Sequence, residues 1–164
     1  MTTVRAVLAL GGNLGDRKQI IKSAIRALKN TEGIEVVAKS PLVESHAVTE
    51  AGIDESRPNY LNGVVEIETT LKPGDLLDRV RVIEQEHGRV RLERWGSRTL
   101  DIDIITYGTL IKAGKRLELP HPRAYQRAFV LVPWALMNPE AVLPGHGSVA
   151  KLAKSVESEV WVVA

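Results

Sequence analysis

An α+β fold built on an antiparallel sheet is what this sequence predicts, and three observations predict it. Apolar runs of strand length recur along the chain, two stretches of helical period separate them, and glycine or proline marks most of the joins. With 164 residues the chain is long enough to bury a sizeable core, and one domain over residues 1–164 is expected.

Val4 to Leu10 is an apolar run ending in Gly11-Gly12 and reads as a buried first strand. Asp16 suits the N-cap of a helix from Arg17 to about Lys29, whose Ile20, Ile21, Ala24, Ala27 and Leu28 share a face. Ile34 to Val43 is rich in β-branched residues and interrupted by Pro41. Thr49 to Asn59 has the composition of a long surface loop. In Tyr60 to Leu71, Val65 and Ile67 alternate with Glu66 and Glu68, the period of a half-buried strand. Pro73 opens a second helix reaching about His87, with Leu76, Leu77, Val80 and Ile83 as its apolar stripe and Gly88 as its stop. Residues 88–98 show neither period and read as an exposed loop, and Leu100 to Tyr107 is the fourth strand. The order is βαββαβ, the ferredoxin-like arrangement, with additional C-terminal helices expected around Val130–Met137 and from Ser148 to about Val156. Two helices would then cover one face of the sheet and leave the other for ligand or extra elements.

Net charge is only +2, from 22 basic and 20 acidic side chains, so overall charge gives no argument for a nucleic-acid partner. The absence of cysteine excludes disulfides, thiolate zinc sites and a cysteine nucleophile. The apolar start before Gly11 is too short for a membrane span and lacks the features of a signal peptide. A monomeric cytoplasmic protein with neither nucleic-acid nor membrane partners is the expectation.

The segment Arg89 to Asp103 says most about function. It holds Arg89, Arg91, Arg94 and Arg98, a tryptophan at Trp95, and Asp101 and Asp103 within an apolar strand. Residues i and i+2 of a strand point to one face about 6–7 Å apart, a span two carboxylates can bridge with metal between them. Two solvated aspartates on a strand's outer face would read the same way, although Asp is a poor strand former. The arginines suit bidentate phosphate contacts but also fit a plain basic loop. Trp95 either packs inward or covers a planar ligand. His121 lies between Pro120 and Pro122, with Arg116 and Arg127 nearby; it is either structural or a phosphate contact. Phe129, the single phenylalanine, has the pattern of a core residue. Gly11-Gly12-Asn13-Leu14-Gly15 carries neither the Walker ending nor the Rossmann spacing, so it reads as a tight turn.

Five stretches in this order resemble the 6-hydroxymethyl-7,8-dihydropterin pyrophosphokinase family of folate synthesis. They are Leu10–Gly15, Asn59-Tyr60-Leu61-Asn62, Gly88–Arg91, Arg94–Asp103 and Pro120-His121-Pro122-Arg123. The resemblance implies transfer of pyrophosphate from ATP to a pterin alcohol, with Mg²⁺ as cofactor. It implies that Asp101 and Asp103 hold two Mg²⁺ ions and that Arg89 and Arg98 stabilise the moving group. Arg91 and Trp95 would ride on a mobile loop that closes over the nucleotide, and Glu84, Arg98, Arg116, His121 and Arg127 would lie on the ATP side. Tyr60 and Phe129 would sandwich the pterin ring, with Asn62 at its polar edge, so Phe129 becomes a ligand platform rather than core. Where the family often carries Thr-Pro and a nearby glycine, this chain has Glu44-Ser45-His46-Ala47-Val48; Ser97 and Pro122 also depart from the common pattern.

Two other readings share some of these features. An RNA-binding module of RRM type has the same element order, but the third strand here has one aromatic and no Lys/Arg-Gly-Phe motif. A non-catalytic nucleotide- or pterin-binding relative would keep the site and lack turnover.

Overall fold

The computed structural model describes residues 2–49, 51–88 and 99–163. The elements run β1 (Val4–Gly12), α1 (Arg17–Lys29), β2 (Ile34–Lys39), β3 (Val43–Ser45), β4 (Val48–Thr49), β5 (Gly52–Ile53), β6 (Tyr60–Thr69), α2 (Pro73–Glu86) and β7 (Asp101–Tyr107). After a 3-10 turn at Ala124–Gln126 come α3 (Ala128–Met137), β8 (Val142–Leu143), β9 (Gly147–Ser148), α4 (Val149–Lys154), a second 3-10 turn at Glu157–Glu159 and β10 (Trp161–Val162). Among the described residues no helix is long and apolar enough to cross a membrane.

The main sheet is antiparallel in every pairing, with strand order β10-β3-β6-β1-β7 and β2 also on β6. The break expected at Pro41 is real. Pro41 has no N–H to give, so β2 and β3 separate there and occupy successive halves of β6. Ser40 carries the pairing across the gap: its backbone N–H donates to Val64 O at 2.9 Å, and its Oγ accepts from Val64 N, also at 2.9 Å.

Helix caps follow the sequence closely. Asp16 accepts from Gln19 N at 3.2 Å, Pro73 takes the first position of α2, and Ser148 accepts from Lys151 N at 3.3 Å. Two expectations are corrected. The stretch Thr49–Asn59 is not all irregular, because β4 and β5 pair as a short hairpin through Gly52 at φ +99°, followed by an Asp54 turn that accepts from Ser56 N. The C-terminal tail is not helix alone: it adds β8–β9 and ends in β10, which extends the sheet beyond β3. The loop expected at 88–98 falls, apart from Gly88, outside the described residues.

Alternation along the strands divides the core in two. Ala6, Leu8 and Leu10 of β1, Val65 and Ile67 of β6, and Ile102 and Ile104 of β7 face α1 and α2. Val7, Ala9, Val64 and Ile105 face the other way, onto Val130, Leu131 and Trp134 of α3. Further along that second face the pattern turns polar: one pleat beyond Ile105 stands Asp103, then Asp101. The register fixes what lies beside them. Asp101 pairs with Gly11 and Gly11 with Asn62, forming one row across three strands; Asp103 pairs with Ala9 and Ala9 with Val64 in the next.

Gly11 is required by that row. A Cβ there would lie 1.8 Å from Asn62 Oδ1, so the glycine makes room for the Asn62 amide, which is only 7% exposed. Gly11→Ala is therefore expected to cost about 1–3 kcal/mol in urea unfolding, as overpacking does. In an Asn62→Ala background the same change should cost far less, giving a non-additive double-mutant cycle.

Candidate active site

A cavity of about 540 Å³ opens on the half of the second face that α3 leaves bare. β1 contributes Ala9, Leu10 and Gly11, and β7 contributes half-buried Asp101 and Asp103. Tyr60 and Asn62 enter from β6, and Phe129 from the first turn of α3. His121, Arg123 and Arg127 come from the connection before α3; Ser45, His46, Val48 and Glu159 complete the lining.

Each side chain is placed by its backbone. The two aspartates share a face because they are two apart in a strand. His121 is tied to the same strand, its N–H donating to Ile105 O at 2.8 Å. Its Nδ1 accepts from Arg123 N at 3.2 Å, which leaves the ring proton of a neutral imidazole on Nε2. Burial pushes this imidazole below its ordinary value of 6.5. Asp103 opposes the shift, Arg127 and Arg123 reinforce it, and Glu118 opposes it. The ring is therefore neutral at pH 7. Arg127 Nη1 stands 3.7 Å from Asp103 Oδ2, an ion pair too long for a strong hydrogen bond, and its guanidinium lies 5.4 Å from the centre of the Phe129 ring.

The edge of the cavity at Tyr60 is braced from the glycine turn. Buried Asn13 donates through Nδ2 to Pro58 O at 3.0 Å, and Arg17 donates to Asn59 O at 2.8 Å. Arg17 also pairs with Glu44 at 2.7 Å, and Trp161 Nε1 donates to Glu44 Oε2 at 3.0 Å. The Trp161 ring packs on His46 with centroids 5.1 Å apart. Thus Glu44 and His46 hold the β3 side of the cavity, fastened by β10.

Among the described residues no three His, Cys, Asp or Glu side chains gather as a closed metal cage. Two carboxylates on one strand face suit Mg²⁺ instead, which takes one or two carboxylates and fills its octahedron with phosphate oxygens and water. The same pair is a poor match for structural zinc.

Of the residues singled out in the sequence, Asp101, Asp103, His121, Arg127, Tyr60, Asn62 and Phe129 line this one cavity. Glu84 and Arg116, expected on the ATP side, do not. Glu84 is 0% exposed on the inner face of α2, where it accepts from Ile102 N at 2.7 Å. Arg116 is exposed, pairs with Asp78, and borders a separate depression with Gly74, Leu77 and Lys112. Arg89, Arg91, Arg94, Trp95 and Arg98 lie outside the described residues. Sequence reasoning missed His46, Glu159 and the site role of Arg123. Arg123 sat inside a quoted motif and could have been included; nothing local to Glu159 or His46 signals that the fold brings them here.

The family model described as 7,8-dihydro-6-hydroxymethylpterin-pyrophosphokinase (HPPK) matches residues 7–139. A 2-amino-4-hydroxy-6-hydroxymethyldihydropteridine pyrophosphokinase of Synechocystis sp. is 41% identical over 161 residues, 97% of this chain and 80% of its own length. One of the same name from Haemophilus influenzae is 38% identical over 151 residues, 92% of each chain. Among solved structures, Plasmodium falciparum HPPK-DHPS with pterin and p-hydroxybenzoate superposes with a TM-score of 0.71 at 16% identity. That match covers 96% of this chain and 42% of the longer one, and it speaks for the fold alone. The family match spans both the two-aspartate strand and the Phe129 turn, and on that basis the chain belongs to the 7,8-dihydro-6-hydroxymethylpterin-pyrophosphokinase family.

Proposed function

We propose that this chain transfers pyrophosphate from ATP to 6-hydroxymethyl-7,8-dihydropterin, yielding AMP and the pterin diphosphate in folate synthesis, with the residues of the cavity in the following roles. The observation that carries the assignment is the make-up of that one cavity. Two carboxylates fit for a hard cation stand in it, Asp101 in the same sheet row as the Asn62 amide and Asp103 in the next, and two aromatic rings line the same cavity. Asp101 and Asn62 are two strand spacings apart, about 10 Å between backbones, the scale of a bicyclic ring with a short arm.

Tyr60 and Phe129 would hold the flat pterin by its faces. The Asn62 amide offers one acceptor and two donors to the polar edge of the ring. Asp101 and Asp103 would bind Mg²⁺, two ions in our reading, which when bound supplies neutralisation of triphosphate charge. Neutral His121 would donate from Nε2 to a phosphate oxygen, and Arg127 would add positive charge beside Asp103. Arg89 and Arg98 are assigned to the moving group, and Arg91 and Trp95 to the nucleotide, on the family motif. In the transfer the hydroxymethyl oxygen bonds to the β-phosphorus while the bond from that phosphorus to the α-phosphate oxygen breaks. The bonding pair leaves with AMP, and the hydroxyl proton is released to water. What the protein contributes is alignment and electrostatics, the usual sources of rate in such reactions. The strand order β7-β1-β6-β2 supports reading the core as ferredoxin-like.

AMP release from ATP, with and without the pterin, is the direct test. Pterin-independent AMP release, or none with both substrates, would overturn the assignment. Asp101→Asn should lower kcat by about three orders of magnitude with the fold intact by circular dichroism. A variant keeping a tenth of the wild-type rate would remove Asp101 from the metal site. Phe129→Ala should raise the pterin dissociation constant about tenfold or more, the scale of a lost stacking contact, while nucleotide affinity stays put.

His121 gives a prediction about pH. Because its folded value is depressed, the unfolded chain binds more protons between that value and 6.5, so stability rises with pH through the window. The contribution is complete above 6.5 and is lost as pH falls through the folded value. Taken from about pH 7.5 to about pH 5.5, wild type should lose more urea stability than His121→Gln. Equal losses would show that the imidazole is not held neutral.

A further inference from the structure

Glu84 poses a physical problem. Its carboxylate has no exposed surface, yet a buried carboxylate is costly unless paired and hydrogen-bonded. Its partners explain the burial. Oε1 pairs with Arg81 Nη1 at 2.7 Å, and Oε2 accepts from the backbone N–H of Ile102 at 2.7 Å. The same Arg81 Nη1 donates to the carbonyl oxygen of Ile102 at 3.3 Å. One helical turn of α2 thus meets both backbone polar groups of a single residue.

That residue is placed where such a grip matters most. Among the described residues β7 is the last strand of its side of the sheet, bonded to β1 along one edge. In an antiparallel pair alternate residues turn their peptide groups outward, where an edge strand has no partner. Ile102 is such an outward residue, and it is the residue between Asp101 and Asp103. Its own side chain is fully buried against α1 and α2, while its two neighbours face the cavity.

We infer that Glu84 is a positioning residue: with Arg81 it clamps the Ile102 peptide groups from behind the sheet and so fixes the angle at which Asp101 and Asp103 present their carboxylates to metal. The inference rests on the reading of those aspartates as the metal-holding pair. It reassigns Glu84, which reaches the reacting groups through the strand and does not touch nucleotide. The clamp is charged on both sides, so its bonds to Ile102 are of the stronger, charge-assisted kind. A neutral amide in place of Glu84 has one acceptor oxygen for these two donors, so it must turn its own NH2 toward either Arg81 or the Ile102 N–H and lose half of that grip.

The test compares Glu84→Gln and Arg81→Gln with wild type. Mn²⁺ affinity is measured by electron paramagnetic resonance in the presence of a non-hydrolysable ATP analogue, and analogue affinity separately by calorimetry in EDTA. Both variants should bind Mn²⁺ about tenfold to a hundredfold more weakly, the range typical of groups that orient metal ligands, and lose kcat in step. Metal-free analogue affinity and pterin affinity should stay within about twofold of wild type, since neither residue would meet those ligands. Arg81 is partly exposed, so its variant remains informative should the buried Glu84 substitution fail to fold. Wild-type Mn²⁺ affinity in either folded variant overturns the clamp. A fall in metal-free analogue affinity matching the fall with metal also overturns it, because Glu84 would then touch nucleotide. Failure of wild type itself to release AMP would count against the proposed reaction, and a normal wild type with unaffected variants against the clamp alone.

Discussion

Everything about the site depends on the pairing of β1 with two partners at once. β6 on one side and β7 on the other are held in fixed register against the same nine-residue strand. A one-residue slip of either partner would turn its side chains to the opposite face. Asp101 and Asp103 would then enter the apolar layer under α2, or Asn62 would leave the cavity. Val65 and Ile67 of β6 and Ile102 and Ile104 of β7 resist such a slip, because all four are buried against the helices and would be turned to the other face. The hydrophobic layer on one face therefore determines the geometry of the polar groups on the other.

The second face does two jobs in sequence along the same strands. Near Val7 and Ile105 it is covered by Val130, Leu131 and Trp134, and one row further it opens. α3 ends that cover at its own N-terminus, which brings Phe129 to the boundary between core and cavity. Phe129 packs partly against Val43 and Ala128 and still lines the site. This is why a lone phenylalanine at the head of an apolar helix reads as core in the sequence and yet reaches a ligand: it is both.

Legibility in the sequence followed the range of the interaction. Helix starts at Asp16, Pro73 and Ser148 and the alternation in β6 and β7 are local, and they were readable in short windows. The break at Pro41 was also local, since a missing N–H shows in one residue. The placement of β10 on β3 was not, because it depends on contacts between residues more than a hundred apart, such as Trp161 with Glu44. Glu84 shows the subtler limit. The family resemblance put it on the ATP side; in the fold its carboxylate meets Arg81 and the backbone N–H of Ile102, and the second of these contacts carries no sequence signal. The enclosing fold decides whether a carboxylate on a helix faces a cavity or a neighbouring strand.

The Arg81–Glu84 pair also has a consequence for how the molecule behaves among its copies. An edge strand with unpaired amides is a template on which another chain can add a strand, the first step of many aggregates. At Ile102 that template is already occupied by side chains from α2, so an incoming strand would have to displace a charged pair to register there. At the opposite margin the sheet closes with β10, only two residues long, and exposed Trp161 is drawn back onto Glu44. In both places contacts at the margin of the sheet also border the cavity, so resistance to strand addition and the form of the site draw on the same few bonds.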